Sequence, residues 1–342
     1  MVTKIGLDLG YANITLSDVT TGIYREPSIA LVNKETRRII SVGNKAISSG
    51  EDGQIEDGVL VRPFKNGLLF DRQITEGILE NAVNAILPAE RVRCVIGVPS
   101  DILAKQEREL FKMMHEAGVA DCYSVNRALA ALIGAGYSPM MSVISVNVGA
   151  SATEIVILHK GHIIYSAREE IGGEDFDKVV KQYIFDQGDV NVSLSIARAI
   201  KERLGAVWQG RESESVEIEG TLSLTGNKVR MSVTTEDIVG VFEKPVHRLL
   251  LAIAEGIKKI PLDVVEAVFE NGIVLTGGGS LIYGLDVMAN KVLGIPVTQP
   301  DDPMDSVAKG LSRINTYIPM RIRSNNKNIT NQVSKYYESR KV

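Results

Sequence analysis

Short apolar runs that end in aspartate, asparagine or glycine recur along the chain, and two of them have the same form. Residues 4–9 lead through a short turn into the apolar stretch 13–17, and residues 143–148 lead through a turn into 153–157. Apolar runs of roughly four to eight residues bounded by turn residues predict buried strands. The two segments therefore predict two hairpins, whose small or polar turns let backbone N–H groups approach an anion.

Helical periodicity and further strands fill the rest of the chain. Apolar residues recur at helical spacing in the segments 73–87, 100–114 and 235–259, and helices are also predicted at 127–136, 193–207, from 281 and at 303–316. Strands are predicted at 26–32, 37–43, 93–99, 122–125, 162–166, within 216–233 and at 271–276, and the acidic stretch 48–57 is predicted to be a surface loop. The mixture indicates an α/β protein.

One α/β unit is used twice, which sets the predicted domain organisation. The first copy covers 1–140 with a small insertion at 33–66, and the second covers 141–320 with an insertion at 180–233. Ligands of such folds bind at the carboxyl ends of the strands, so a site is expected in the cleft between the halves. Residues 321–342 carry six basic residues against one acidic residue, which predicts a disordered basic tail.

Composition narrows the functional classes. The chain has 342 residues, 44% of them hydrophobic, and a formal net charge of −4, so no nucleic-acid partner is expected. Cys94 and Cys122 give neither a disulfide framework nor metal-ligand spacing, and they fit a reducing cytoplasm. Strand-like sequence begins at Lys4, which predicts that there is no signal peptide. No apolar run approaches the roughly 20 residues that span a bilayer.

Eight motifs occur in order and cover nearly all of the chain from Ile5 to about Ile314. They are DLGYAN (8–13), REPS (25–28), RPFKNG (62–67), VIGVPS (95–100), IGAG (133–136), IGGEDFD (171–177), IKER (200–203) and GIVLTGGGS (272–280). In this order they resemble the actin-like nucleotide-binding superfamily, and within it the bacterial actins of the MreB and MamK group. The resemblance implies a duplicated actin-like (ribonuclease H-like) fold around a nucleotide cleft, with ATP or ADP and Mg²⁺ as cofactors.

The resemblance also assigns roles to residues. Asp8 takes the place of the carboxylate that holds Mg²⁺ through water, and Tyr11 stands where the family usually has threonine, so its phenol either points elsewhere or crowds the γ-phosphate. Nucleotide contacts are implied for Asp8, Gly10, Tyr11, Ala12, Asn13, Gly149, Ala150, Ser151, Ala152, Thr153, Gly173, Asp177, Lys201, Glu202, Gly277, Gly278 and Gly279. Lys201 and Glu202 could instead form a solvated helix face, and Asp177 could be an ordinary first-turn acid.

Two departures from the family pattern concern hydrolysis. Asn147 stands where the second loop normally has aspartate, and a neutral group binds roughly half as strongly as a charged one. Asn126 and Arg127 stand where the family reads two glutamates, one of which positions the attacking water. Asp8, Asn126, Arg127 and Asn147 therefore form a degenerate catalytic set. We expect a chain that binds ATP and hydrolyses it slowly or not at all.

Several functions compete. The first is a cytoplasmic cytoskeletal protein that forms double-stranded homopolymers for cell shape or organelle positioning, or that copolymerises with a paralogous bacterial actin. The alternatives are an active ATPase filament protein and a nucleotide-binding adaptor that does not polymerise. A small-molecule kinase on this fold is disfavoured because no catalytic base is evident near the second loop. The basic tail is either a solubilising end or a tether to acidic lipid or an acidic partner, worth about 1 kcal/mol per basic residue at an anionic membrane.

Overall fold

The computed structural model describes residues 2–20, 22–51, 57–65, 68–69, 71–86, 91–319 and 327–339. The first half contains strands β1 (Val2–Leu9), β2 (Asn13–Asp18), β3 (Gly22–Pro27), β4 (Ala30–Asn33), β5 (Ile39–Val42), β6 (Gly58–Val61), β7 (Phe64–Lys65), β8 (Leu68–Leu69), β9 (Arg91–Val98) and β10 (Asp121–Asn126). Its helices are α1 (Gly43–Glu51), α2 (Arg72–Ile86), α3 (Ala104–Glu116) and α4 (Arg127–Gly134).

The second half contains strands β11 (Val143–Val148), β12 (Thr153–His159), β13 (His162–Glu169), β14 (Val190–Asn191), β15 (Ser215–Leu222), β16 (Lys228–Thr234), β17 (Ile273–Thr276) and β18 (Val297–Thr298). Its helices are α5 (Gly173–Gly188), α6 (Leu194–Leu204), α7 (Thr235–Val239), α8 (Glu243–Ile257), α9 (Val265–Asn271), α10 (Leu285–Leu293), α11 (Ser306–Tyr317) and α12 (Val333–Glu338). Short 3-10 turns lie at Gly278–Leu281, Pro303–Asp305 and Thr330–Gln332.

The two halves are built on five-stranded sheets of the same topology. The strand order is β10-β9-β1-β2-β3 in the first sheet and β18-β17-β11-β12-β13 in the second. In each sheet three consecutive strands pair antiparallel, and the first of them also pairs in parallel with a later strand. The repeated connectivity confirms the predicted duplicated α/β fold and both predicted hairpins. Two small sheets, β5-β4-β6 and β14-β15-β16, lie close to the predicted insertions.

The hairpin registers place polar residues at the turn end of each sheet. In the first hairpin Asp8 pairs with Thr15. In the second hairpin Asn147 pairs with Glu154. The other residues of these strands are mostly apolar and fully buried, such as Leu7, so the polar pairs stand at the edge of each core.

Two helices cross between the halves. Helix α4 packs on β11 and β12 of the second sheet, whereas α11 packs on β1 and β9 of the first sheet. The helices also pack on each other, at Gly134 and Gly310. A Cβ atom on either glycine would overlap backbone atoms of the other helix, so both positions need glycine.

Arg93 and Asn315, both buried, fix α11 on the first sheet, because Arg93 Nε donates to Asn315 Oδ1 at 2.8 Å and Asn315 Nδ2 donates to the Ile5 carbonyl at 2.9 Å.

Two local predictions were wrong, and one helix was not predicted. Residues 48–51 belong to α1 and not to a loop, while residues 52–56 lie outside the described residues. The predicted helix over 235–259 is two helices, because Gly240 ends α7 and Pro245 is favoured only in the first turn of a new helix. Helix α9 was not predicted. Among the described residues, none of the helices has the length and apolar content that crossing a bilayer requires.

The prediction of a disordered tail is wrong for residues 327–339; residues 320–326 and 340–342 lie outside the described residues. The Ile329 N–H donates to the Ser124 carbonyl at 2.9 Å, next to a parallel bridge between Ser124 and Asn328. Ile329, Val333 and Tyr337 are buried, and the Tyr337 ring lies 4.8 Å from that of Tyr317. The many basic residues of the segment make these apolar positions hard to recognise in the sequence. The free energy gained by burying them outweighs the conformational entropy lost when the segment becomes ordered.

Replacing Tyr337 by alanine should lower the free energy of unfolding by about 3 kcal/mol, because it removes a large buried side chain. Urea denaturation followed by circular dichroism measures the change. Exposed Lys335 on the same helix provides the control, since Lys335→Ala should stay within about 0.5 kcal/mol of the wild type. Equal stability of the two variants would show that this segment is not docked in solution.

Candidate functional site

A cavity of about 420 Å³ lies between the turns of the two hairpins and the glycine loop after β17. The residues that line it and were predicted as site residues are Asp8, Gly10, Tyr11, Ala12, Asn13, Arg127, Asn147, Gly149, Ala150, Ser151, Ala152, Gly173, Lys201, Glu202, Gly277, Gly278 and Gly279. Three predicted residues, Asn126, Thr153 and Asp177, do not line it. The sequence interpretation missed Thr15, Arg25, Glu154, Arg198, Leu281, Ile282, Met304 and Val307, which also line the cavity.

The three predicted residues outside the cavity support its walls. Thr153 is fully buried and its hydroxyl donates to the Ile171 carbonyl at 2.7 Å, which ties the second turn to the segment before α5. Asp177 is 1% exposed and forms ion pairs with Lys201 at 2.6 Å and Arg198 at 3.3 Å. Both basic side chains line the cavity, so Asp177 is a positioning residue for them.

Asn126 is a helix cap and not part of the cleft. Its Oδ1 accepts from the Leu129 N–H at 3.0 Å, and its Nδ2 donates to Ser100 Oγ at 2.9 Å. A side-chain oxygen that accepts from a free N–H of the first turn is a standard N-cap. The predicted degenerate catalytic role of Asn126 therefore has no support in its contacts.

Arg127, the first residue of α4, joins both hairpins. Its Nε donates to Asp8 Oδ1 at 2.9 Å, and its Nη1 donates to Glu154 Oε1 at 2.8 Å. Its Nη2 donates to the carbonyls of Leu9 at 3.1 Å and Gly97 at 3.4 Å. The Arg127 side chain is 11% exposed, so this is a largely buried ion network at the floor of the cavity.

The carboxyls of this network are held in unusual electrostatic surroundings. Burial raises the pKa of Glu154 to about 7, because it disfavours the charged form more than Arg127 favours it, and nearby Asp8 adds to the effect. Burial likewise raises the pKa of Asp8, against the opposing effect of Arg127. The Glu154 Oε2 atom is buried and accepts no hydrogen bond from any described residue.

Glu154 was missed, although the sequence contained a signal. It is the charged residue in the apolar run 153–158, and acidic residues are rarely buried unless they are paired. Pairing it with Arg127 requires knowing that α4 begins beside both hairpins. Local patterns in the sequence do not predict that long-range contact.

Tyr11 crosses the cleft. Its hydroxyl donates to Glu174 Oε1 at 3.1 Å, at the start of α5 in the second half. The Arg62 guanidinium lies 5.3 Å from the centre of the Tyr11 ring and also donates to the carbonyls of Tyr11 and Ala12 at 3.1 Å. Burial and Glu174 raise the pKa of Tyr11, so it stays a neutral hydrogen-bond donor at neutral pH. The sequence left open whether the Tyr11 phenol crowds the γ-phosphate or points elsewhere. Its hydroxyl points toward Glu174 at the start of α5.

The glycine loop is pressed against the second hairpin. Gly277 has φ +85°, and a Cβ atom there would overlap the Val148 carbonyl, while a Cβ on Gly279 would overlap the Val148 side chain. Gly278 has open space, with only Met304 near a Cβ placed there, at 3.4 Å. Two of the three glycines are therefore needed for close packing, and the third leaves room in the cavity.

The residues present do not fit the Mg²⁺ site that the resemblance implied. Asp8 Oδ1 and Glu154 Oε1 both accept from Arg127, and the Asn147 Oδ1 atom accepts from Thr276 at 3.3 Å. Mg²⁺ needs oxygen ligands in near-octahedral arrangement, and a guanidinium competes for the same oxygens. Across the described ranges, no group of three His, Cys, Asp or Glu side chains could hold a metal ion.

Replacing Glu154 by glutamine should flatten the dependence of stability on pH. Because the folded-state pKa of about 7 exceeds the ordinary 4.5, Glu154 contributes stability that is fully present below pH 4.5 and is lost as the pH rises through 7. The free energy of unfolding of the wild type should therefore fall, relative to Glu154→Gln, by at most about 3 kcal/mol between pH 5 and pH 8. Chemical denaturation at both pH values measures the difference.

The matched control for that measurement is Glu270→Gln, the same change at an exposed position of α9. Its pH profile should follow the wild type. Parallel profiles for Glu154→Gln and the wild type would contradict the assignment of a raised pKa to Glu154.

Comparison with known proteins identifies relatives over almost the whole chain. The family model described as MreB/Mbl protein matches residues 2–322. The cell shape-determining protein Mbl of Bacillus cereus is 28% identical over 315 residues, which cover 90% of this chain and 93% of the relative. The cell shape-determining protein MreB of Pasteurella multocida is 27% identical over 324 residues, which cover 90% of this chain and 91% of the relative.

Solved structures share the fold. MreB5 of Spiroplasma citri bound to ADP matches with a TM-score of 0.87 at 22% identity, over 92% of this chain and 97% of that chain. A MamK double helical filament matches with a TM-score of 0.81 at 22% identity, over 93% of this chain and 100% of that chain. At such low identity the likeness shows the fold alone, which confirms the actin-like fold class. Because the family model covers residues 2–322, the chain belongs to the MreB/Mbl family.

Proposed function

We propose that this chain is a cytoskeletal protein that binds an adenine nucleotide in its central cleft and polymerises into filaments for cell shape or organelle positioning. The observation that carries the proposal is the cavity lined by both hairpin turns and the glycine loop. Membership of the MreB/Mbl family and relatives named as cell shape-determining proteins support the cytoskeletal role. A structural neighbour solved as a double helical filament supports self-association.

The chemistry of the cavity suits a nucleotide. Its volume of about 420 Å³ is in the range of small-molecule sites. The Gly149 N–H closes the turn by donating to the Ala152 carbonyl, which leaves the backbone of Ala150 and Ser151 to face an anion, and Ser151 adds a hydroxyl. Lys201 and Arg198 supply positive charge from α6. Structural neighbours bound to ADP and to AMPPNP support this class of ligand.

Hydrolysis is proposed to be slow. Arg127 occupies the place of a water-positioning acid, and a guanidinium does not accept a proton at neutral pH. Glu154 does not replace that acid, because its Oε1 accepts from Arg127 and its Oε2 is buried away from solvent. Asp8 has one oxygen engaged by Arg127 as well. Little in the cavity is left to orient an attacking water.

The kinase alternative needs a correction. Contrary to the prediction from the sequence, a carboxyl group does lie near the second loop, because Glu154 pairs with Asn147 in the second hairpin. The surroundings of Glu154 disfavour the kinase instead, since its Oε1 accepts from Arg127 and its Oε2 is buried out of reach of a substrate hydroxyl. Copolymerisation with a paralogue and association with a membrane stay predictions from the sequence.

A bulky residue at position 278 should block nucleotide binding. Gly278 has space for a Cβ atom, so Gly278→Phe keeps the backbone and fills the cavity. We expect ATP binding to weaken at least about tenfold, measured by isothermal titration calorimetry. Gly240→Phe is the control, because a Cβ there meets nothing within 4 Å and Gly240 lies outside the cavity lining. Equal affinities in the two variants would contradict the assigned site.

The wild-type chain should form filaments with ATP and release phosphate slowly. Negative-stain electron microscopy and a malachite-green assay on the same samples measure both properties, with an ATP-hydrolysing bacterial actin as reference. Filaments with phosphate release below the reference agree with the proposal. Monomers that bind ATP would favour a non-polymerising adaptor, and release at or above the reference would contradict slow hydrolysis.

A further inference from the structure

We propose that the Arg127 guanidinium is the built-in counter-cation of the phosphate site, so that the chain binds its nucleotide as a metal-free polyphosphate. The inference rests on the proposed nucleotide binding and extends it to the chemical form of the ligand. Its starting point is that the donor set does not fit Mg²⁺, because Arg127 holds Asp8 at 2.9 Å and Glu154 at 2.8 Å.

The guanidinium is fixed at the place where the phosphates would lie. Arg127 reaches Asp8 at the end of β1 and Glu154 near the start of β12, so its charge lies between the two hairpin turns. The carbonyls of Leu9 and Gly97 hold its other end. A guanidinium has five N–H donors, and the bonds found within the described ranges use four of them. The remaining N–H is on Nη1, and Arg127 lines the cavity.

A divalent ion beside Asp8 would share its carboxylate with Arg127, which already binds Oδ1. Binding Mg²⁺ there would require Asp8 to leave Arg127 or would bring two cations to one carboxylate. The second position that could offer charge is Asn147, which is neutral and whose Oδ1 accepts from Thr276. Relative to the acids that the family pattern has at these two positions, Arg127 and Asn147 make the site more positive by three charges, which exceeds the charge of Mg²⁺.

The cavity as a whole carries the cations that a polyphosphate needs. Four basic side chains line it against three acidic ones; the basic residues are Arg25, Arg127, Arg198 and Lys201, and the acidic residues are Asp8, Glu154 and Glu202. Buried Asp177 holds two of the basic groups in place. Arg25 is likewise paired with Asp305, so free ATP or ADP would meet basic groups of fixed position without a metal ion, while the magnesium complex would bring a further cation next to Arg127.

The first test compares nucleotide binding by the full-length chain with and without metal. Isothermal titration calorimetry with ATP is carried out at one ionic strength, once with EDTA and once with excess Mg²⁺. We expect the affinity in EDTA to equal or exceed the affinity in Mg²⁺. A loss of affinity in EDTA of about tenfold or more, restored by Mg²⁺, would overturn the inference and leave the proposed function standing. Absence of ATP binding in both buffers would overturn the proposed function itself.

The second test restores the acidic pattern. The double variant Arg127→Glu with Asn147→Asp should bind ATP at least about tenfold more tightly in Mg²⁺ than in EDTA. Arg91→Glu is the control for the arginine-to-glutamate part of that variant, because it makes the same replacement at an exposed position of β9 and should bind as the wild type does. Metal-independent binding by the double variant would contradict the assigned role of Arg127. If circular dichroism shows that the double variant is unfolded, the comparison of the wild type in the two buffers decides.

Discussion

The ion network around Arg127 constrains the centre of the molecule. One guanidinium and two carboxyl groups lie close together with little solvent exposure, and taking charged groups out of water is costly. The network is stable only while all its members are present, since removing one partner of a buried pair typically costs about 3–5 kcal/mol. Arg127 is also the first residue of α4, so the network fixes where that helix begins relative to both hairpins. The cleft floor and the helix that crosses between the halves are therefore positioned by the same contacts.

The duplication places related residues at related positions but distributes the charges differently. In the first hairpin the acid, Asp8, is on the first strand and pairs with Thr15. In the second hairpin the acid, Glu154, is on the second strand and pairs with Asn147. One arginine can bridge both acids because they approach it from different hairpins. The two halves thus have the same strand topology and differ in the side chains that meet at the cleft.

The sequence predicts most of the scaffold because the scaffold is encoded locally. Apolar runs, turns of small residues and the glycine loop at 277–279 are short-range signals, and both hairpins and most helices follow from them. The failures have long-range or competing causes. Glu154 becomes a site residue only through Arg127, which is 27 positions away. Asn126 occupies a catalytic position of the family pattern, although its place before a helix equally predicts a cap. The basic charge of the last segment predicts disorder, although Tyr337 and its apolar neighbours are buried in the core.

The contact between Gly134 and Gly310 has a mechanical consequence. Because backbone meets backbone there, no side-chain rotamer is available to absorb a displacement of α4 against α11. Each helix packs on the sheet of the opposite half, so any change in the cleft that moves one sheet carries the other half's helix with it. The glycine pair therefore joins the halves stiffly, and a shift of either sheet would reach the other half with little of it absorbed between the two helices.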